Sequence, residues 1–268
     1  MILRYAVFRI TLGCIYFVFK SVSYTVNCKE IMNNYIIYRK DQKMITISNL
    51  SKSYKGKKVV DDLSFSMKKG QLFALLGSNG AGKSTTIKMI LNLVKSDSGK
   101  IQVPDGELIG YSPETPYFPP FLTGLEVLMY YAALQKVPKS ERIESGKKLL
   151  ELVGLENDRT KIRFYSKGML QRLALAQALI GDPAILILDE PCAGLDAMGR
   201  IEMLGLIANL KRAGKTILMN SHILNDMEKV CDEGVILQKG KIVRRFQRAD
   251  LEGGISLEEI FVKAVGEV

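Results

Sequence analysis

Three short apolar runs punctuate the chain: Leu72-Phe73-Ala74-Leu75-Leu76, Ala184-Ile185-Leu186-Ile187-Leu188 and Thr216-Ile217-Leu218-Met219. Runs of this length predict strands buried on both faces, as in a parallel sheet. After Lys83 the spacing changes. Apolar residues recur at Ile87, Ile90, Leu91 and Val94, which predicts a helix. Upstream, Met44-Ile45-Thr46-Ile47 opens a strand, and Val60, Leu63, Phe65 and Met67 continue in a strand pattern. Ile101 to Val103 and Leu108 to Tyr111 predict two further strands. Val235 to Leu237 and Ile242-Val243, split by Lys239-Gly240-Lys241, predict a closing hairpin.

The middle of the chain reads differently. Pro113, Pro116, Pro119 and Pro120 crowd around Glu114, Tyr117 and Phe118, so this stretch is a loop. Thr123 and Glu126 then form a capping box for a helix carrying Leu125, Val127, Leu128, Tyr131 and Leu134. A second helix runs from Glu141 to Leu152, and Gly154 ends it. Ser166 is an N-cap for a third, followed by Leu170 to Ile180. The expectation is an α/β fold with an inserted helical subdomain at about residues 115–180. A helix near Met198 to Leu210 and an amphipathic tail helix, Ile255 to Val265, complete the pattern.

Composition adds modest limits. The chain has 268 residues, 47% of them hydrophobic, enough for one large domain or two small ones. The net charge is +10, and about half of the excess lies in residues 1–43, with seven Lys/Arg against two acids. The remainder is only mildly basic, which does not point to nucleic acid. Cys14, Cys28, Cys192 and Cys231 show no C-x-x-C spacing, and reduced thiols in a cytosolic compartment fit them best. Ile10 to Phe19 is mostly apolar but short for a membrane span, which needs about 20 residues. Residues 1–43 therefore read as an N-terminal extension with three open readings: untranslated, with synthesis beginning at Met44; an interfacial anchor; or a cleaved signal.

Chemistry enters at Gly77-Ser78-Asn79-Gly80-Ala81-Gly82-Lys83-Ser84-Thr85, which fits the phosphate-binding P-loop pattern between a strand and a helix. The glycines let the backbone approach a ligand, and the amides and the positive helix end converge on an anion. Lys83 adds a point charge for the outer phosphates, and the Ser84 hydroxyl can reach Mg2+. The strand Ala184–Leu188 ends in Asp189-Glu190, at the strand end where open α/β sheets bind ligands. Asp189 can coordinate Mg2+ beside Ser84, and Glu190 can act as general base or orient a water. His222 follows the strand Thr216–Met219 and stands level with both carboxylates. Tyr54, at a strand end, offers an aromatic face that could stack a base.

Taken in order, these motifs resemble an ATP-binding cassette (ABC) nucleotide-binding domain over about residues 44–246, followed by a helical tail at 247–268. The resemblance implies an α/β P-loop NTPase fold: a RecA-like core sheet with an antiparallel β-subdomain and the inserted α-helical subdomain. By that resemblance Tyr54 is the adenine-stacking aromatic, and Ser166-Lys167-Gly168-Met169 is the signature loop. Ile185 to Glu190 is the Walker B strand with its catalytic glutamate. Ala193-Gly194-Leu195-Asp196 is the D-loop, and His222 is the switch histidine. Glu114 stands where the family usually has the Q-loop glutamine; an acid there can still accept from a Mg2+-bound water, but it changes the local charge. Tyr-Ser-Lys-Gly-Met replaces the usual Leu-Ser-Gly-Gly-Gln. Both variants resemble a branch of bacterial ABC exporters. Ala197 stands where proline is common, and the short link from Gly99 to Leu108 trims the β-subdomain.

The resemblance implies ATP and Mg2+ as cofactors, Lys83, Glu190 and His222 as catalytic residues, and a head-to-tail dimer, homomeric or heteromeric. Each site would pair one subunit's P-loop with the other's signature loop. It also implies a separate membrane permease, docked near Glu114 to Phe121, with Tyr117, Phe118 and Phe121 exposed for it or packed within the helical subdomain. That places the chain peripherally on the cytoplasmic face of the cell membrane. Two other readings stand beside it: a catalytically weak ATP-binding regulator, and a soluble ABC ATPase acting on ribosomes or DNA. One P-loop and no heptad run weigh against the last.

Overall fold

The computed structural model describes residues 7–11, 14–19, 22–27 and 43–266. Strands β1 (Val7–Thr11), β2 (Cys14–Phe19) and β3 (Val22–Asn27) form an antiparallel meander, with Val7 opposite Val18 and Cys14 opposite Asn27. Met1–Gln42 forms a unit of its own. The apolar stretch Ile10–Phe19 falls across β1 and β2. Much of the extension, Cys28 included, lies outside the described residues.

The second unit runs from Lys43. In chain order it holds β4 (Lys43–Tyr54), β5 (Lys57–Lys68), β6 (Leu72–Gly77), α1 (Lys83–Ile90), β7 (Ser98–Gln102) and β8 (Ile109–Ser112). Next come α2 (Gly124–Leu134), α3 (Arg142–Leu152), α4 (Lys167–Ala178), β9 (Ile185–Asp189), α5 (Ala197–Arg212) and β10 (Thr216–Asn220). The chain closes with α6 (Leu224–Val230), β11 (Glu233–Gln238), β12 (Lys241–Gln247), α7 (Arg248–Glu252) and α8 (Leu257–Gly266).

The central sheet has the order β12-β11-β6-β10-β9-β8 and is parallel except for β12. Its apolar runs alternate between two cores. Phe73, Leu75, Ile185, Ile187 and Leu218 face one cluster, while Leu72, Ala74, Leu76, Leu186, Leu188, Ile217 and Met219 face the other. Full burial of each larger side chain contributes about 1.5–3 kcal/mol, and the one polar residue in the runs, Thr216, is buried with its hydroxyl accepting from Gly70 N. The first cluster is covered by α1 and by a second, antiparallel sheet, β5-β4-β7. There Phe65 stacks on Phe73, ring centroids 5.1 Å apart. The second cluster takes side chains from α2 to α6 and α8.

The helices begin where the local chemistry dictates. Glu126 N donates to Thr123 Oγ1 (3.2 Å) and Thr123 N donates to Glu126 Oε2 (2.7 Å), a complete capping box on α2. Asp196 caps α5 by accepting from Gly199 N at 2.7 Å. Three features differ from the sequence reading. Strand β7 starts at Ser98, because Ser98 already pairs with Ser51 of β4. Helices α6 and α7 are short, seven and five residues, and carry too little periodicity to register. The tail helix α8 is part of the second core: Leu257, Ile260 and Ala264 are buried, and Leu257 N donates to Glu228 Oε2 at 2.8 Å.

Helix α4 lies so close to β8 that a Cβ on Gly110 would sit 2.0 Å from Ala178 O. Gly110→Ala should therefore cost about 1–3 kcal/mol, as overpacking does, read as a lower denaturant midpoint. Gly205 on α5 has open space around it. Gly205→Ala should be neutral or stabilising by up to about 1 kcal/mol, which separates steric conflict from the general effect of removing a glycine.

Candidate functional site

Sheet register sets the site. Strands β6, β10 and β9 are neighbours, and all three end on the same edge. Asn220 pairs with Asp189 on one side and with Leu75 on the other, two residues before Gly77. The P-loop, Asp189 and Asn220 are thus level without any further device.

The P-loop turns from β6 into α1. Gly82 is the N-cap of α1 at φ +105°, and a Cβ there would meet Val59 O at 2.6 Å. No side chain caps this helix and its first turn holds no acid. Its free amides and positive end are therefore available to an anion. Lys83, 8% exposed, folds back and donates to Gly77 O (2.6 Å) and Ser78 O (3.1 Å). Burial lowers its pKa, while the charges of Glu190, Asp189 and Glu114 act to raise it. Ser84 is exposed beside it.

A pocket of about 380 Å³ is lined by Asn79 to Thr85 together with Val59, Glu114, Glu190, Asn220 and His222. Asp189 stands behind Asn220, whose Nδ2 donates to Asp189 Oδ1 at 2.6 Å. Burial pushes the Asp189 carboxyl up, opposed by that bond. Asp189 has no ion-pair partner among the described residues, and Asn220 Oδ1 is buried without a partner. Tyr111 nearby is pushed up to about 12 by burial, helped by Asp189 and Glu114.

Glu190 sits in the left-handed region at φ +52°, a conformation that costs a non-glycine residue roughly 1 kcal/mol. Bonds on both sides hold it: Glu190 N donates to Asn220 O and Ala193 N donates to Glu190 O, each at 3.0 Å. The twist brings Glu190 Oε2 to 2.8 Å from His222 Nδ1. An ionised carboxylate only accepts, so Nδ1 carries the proton of this bond. Burial raises the Glu190 pKa, while the His222 charge and hydrogen bond act to lower it. Glu190 is 7% exposed, whereas His222 reaches into solvent.

Mg2+ takes few protein ligands and keeps waters and phosphate oxygens. The donor set fits that habit. Among the described residues no group of three or more His, Cys, Asp or Glu could hold a metal alone. What is present is one buried carboxylate without an ion-pair partner, Asp189, bonded to Asn220 of the pocket wall, and the Ser84 hydroxyl and Glu114 on that wall.

The remaining predicted residues lie elsewhere. Tyr54 ends β4, 44% exposed under Lys52 Nζ (5.6 Å to the ring centroid), and is not part of the pocket wall. Ser166, Lys167, Gly168 and Met169 start α4, where Ser166 Oγ accepts from Met169 N at 3.2 Å; none of the four lines the pocket. Gly194, at φ +71°, lies under the Lys167 side chain, followed by Leu195 and the cap Asp196. Phe118 is not exposed: it packs edge-on against Tyr131 at 6.2 Å, leaving Tyr117 and Phe121 at the surface. Sequence reasoning missed Asn220 and Val59. Asn220 was legible only as a polar residue ending a buried run beside His222. Val59 carries no chemical signal.

Comparison with known proteins identifies the family. The ABC transporter family matches residues 60–193. An ABC transporter ATP-binding protein of Nostoc sp. (strain PCC 7120) is 42% identical over 218 residues; the match covers 75% of this chain, and the chain spans only 65% of that relative's length. The linearmycin resistance ATP-binding protein LnrL of Bacillus subtilis (strain 168) is 35% identical over 238 residues, 84% of this chain and 76% of LnrL. The dimeric structure of MJ0796, a bacterial ABC transporter cassette, superposes with a TM-score of 0.70 at 25% identity, covering 76% of this chain and 99% of that one. By sequence and by fold, the chain belongs to the ABC transporter ATP-binding family.

Proposed function

We propose that this chain binds and hydrolyses ATP and thereby powers a separate membrane permease, from the cytoplasmic face of the membrane. The observation that carries this reading is one pocket. It brings an uncapped helix start, the Lys83 ammonium and the Glu190–His222 pair to the same space of about 380 Å³. Lys83 would leave its carbonyl partners for the outer phosphates. Glu190 would orient the attacking water and take its proton as the water oxygen bonds to phosphorus and the bridging oxygen leaves with ADP. His222, its Nδ1 engaged by Glu190, would donate from Nε2 to the outer phosphate when protonated. Mg2+, when bound, neutralises charge on the phosphate oxygens; Asp189 and Ser84 would hold it directly, and Glu114 through a water. Tyr54 would stack the adenine.

The signature loop supports a composite site. Ser166 to Met169 lie outside the P-loop pocket, so a second subunit, identical or related, is needed to bring such a loop onto the phosphates, with Gly194 to Asp196 beside it. That MJ0796 is dimeric supports an assembly of two such subunits. Residues 44–246 would form the ATP-binding unit, with 247–268 as its tail and 1–43 as an extension. No helix among the described residues is long and apolar enough to cross a membrane, which fits a separate permease. The resistance function named for LnrL favours export.

Two measurements test this. The ATP hydrolysis rate of the full chain should rise faster than linearly with protein concentration, and Glu190→Gln should lower kcat by about 100-fold or more. A strictly linear rate with an active Glu190→Gln enzyme would rule the scheme out. The second concerns pH. Glu190 must be ionised to accept a proton, and burial raises its pKa above 4.5. Turnover should thus fall as pH drops through a point above the usual carboxylate range. His222 lowers that pKa, so His222→Ala, besides slowing turnover, should move the acid limb to higher pH; an unmoved or lowered limb contradicts the pairing.

A further inference from the structure

Gln171 is 1% exposed on α4, five residues after the cap Ser166. Its Nε2 donates to the backbone oxygen of Glu114 at 2.8 Å, across 57 residues of sequence. Its Oε1 is buried without a partner. A buried orphan acceptor is costly, and an aliphatic residue of similar size would avoid it. The amide is therefore kept for its donor end. That end holds the loop that follows β8, at the residue whose side chain faces the P-loop pocket. The strand that leads into this loop is also held against α4, where Gly110 lets β8 touch the backbone of the helix.

We propose that Gln171 is a positioning residue: it fastens the Glu114 loop to the signature helix, so that the helix start at Ser166 and the carboxylate at Glu114 move as one piece. Five helical residues rise roughly 7.5 Å, so the two ends of this link lie within two turns. When a nucleotide settles against the start of α4, Glu114 is set in the neighbouring pocket by the same displacement. This rests on the ATP reading above and extends it: the signature loop of each subunit then governs metal binding in that subunit's own P-loop pocket.

The chain has no tryptophan, and Tyr117 is 83% exposed three residues after Glu114. Tyr117→Trp in the full-length Glu190→Gln protein gives one fluorophore on the loop. At saturating ATP, Mg2+ titration should show Gln171→Met raising the apparent Mg2+ constant by about tenfold, as loss of a supporting contact does. With Glu114→Ala also present, which removes the oxygen on the metal side, Gln171→Met should change it by less than about twofold, the non-additivity of groups acting in series. The same factor in both backgrounds, or no change in either, would overturn the proposal. Should Gln171→Met fail to fold, amide exchange of the protein with Gln171 intact decides. Residues 112–118 and 166–171 should gain protection together on adding ATP and Mg2+, and protection of one segment alone would overturn it. No nucleotide-dependent change in either experiment would remove the ATP reading itself, and this proposal with it.

Discussion

Asp189 and Glu190 are carboxylates held out of water at the end of β9, and the ammonium within their reach, Lys83, is itself buried and bound to backbone carbonyls. Neither acid is fully neutralised. Asp189 is bonded to an amide, and Glu190 to a histidine that stands mostly in solvent. Burying charge in this way is unfavourable unless the surroundings are rigid and a ligand completes the balance. Much of the structure can be understood as meeting that demand. The two-sided core fixes the strands, the strands fix the backbone at Asn220, and Asn220 fixes both acids, one through its side chain and the other through its carbonyl oxygen.

The core sheet was legible in the sequence because its strands are unbroken apolar runs, and their polar ends, Gly77, Asp189 and Asn220, coincide with the changes in composition. The P-loop, Glu190 and His222 were legible for the same reason: each sits directly after such a run, so one-dimensional position implies three-dimensional adjacency on the sheet edge. Helix α2 declared itself through its capping box. What was hidden depends on contacts between segments distant in sequence. Gln171 looks like any helical glutamine until α4 is laid on β8. Phe118 looks exposed among prolines until Tyr131 is placed beside it. The tail looked like a free amphipathic helix because its partners, β11, β12 and α6, lie behind it in the chain.

The same division separates chemistry from coupling. Residues that would touch phosphate follow strand ends in fixed order, so their roles follow from spacing. Residues that would transmit movement lie where α4 packs on β8: Gly110 in the strand, Gln171 in the helix and Ser166 at the helix start. Their importance comes from closeness of backbone to backbone and from a single amide bond, neither of which leaves a motif.

The alternation of side chains between two apolar cores has one more consequence. In a sheet with a wet face, sliding a strand by one residue throws oil into water, and polarity alone forbids it. Here both faces are oily, so a slipped β6 or β9 would still bury its apolar residues. Only size and the polar ends resist: Phe73 would have to fit where Ala74 fits, and Asp189 would be drawn into the core. The residues that make the site therefore also mark the correct pairing of the strands during folding, and an attempt to erase the chemistry by making these ends apolar would loosen the rule by which the sheet is assembled.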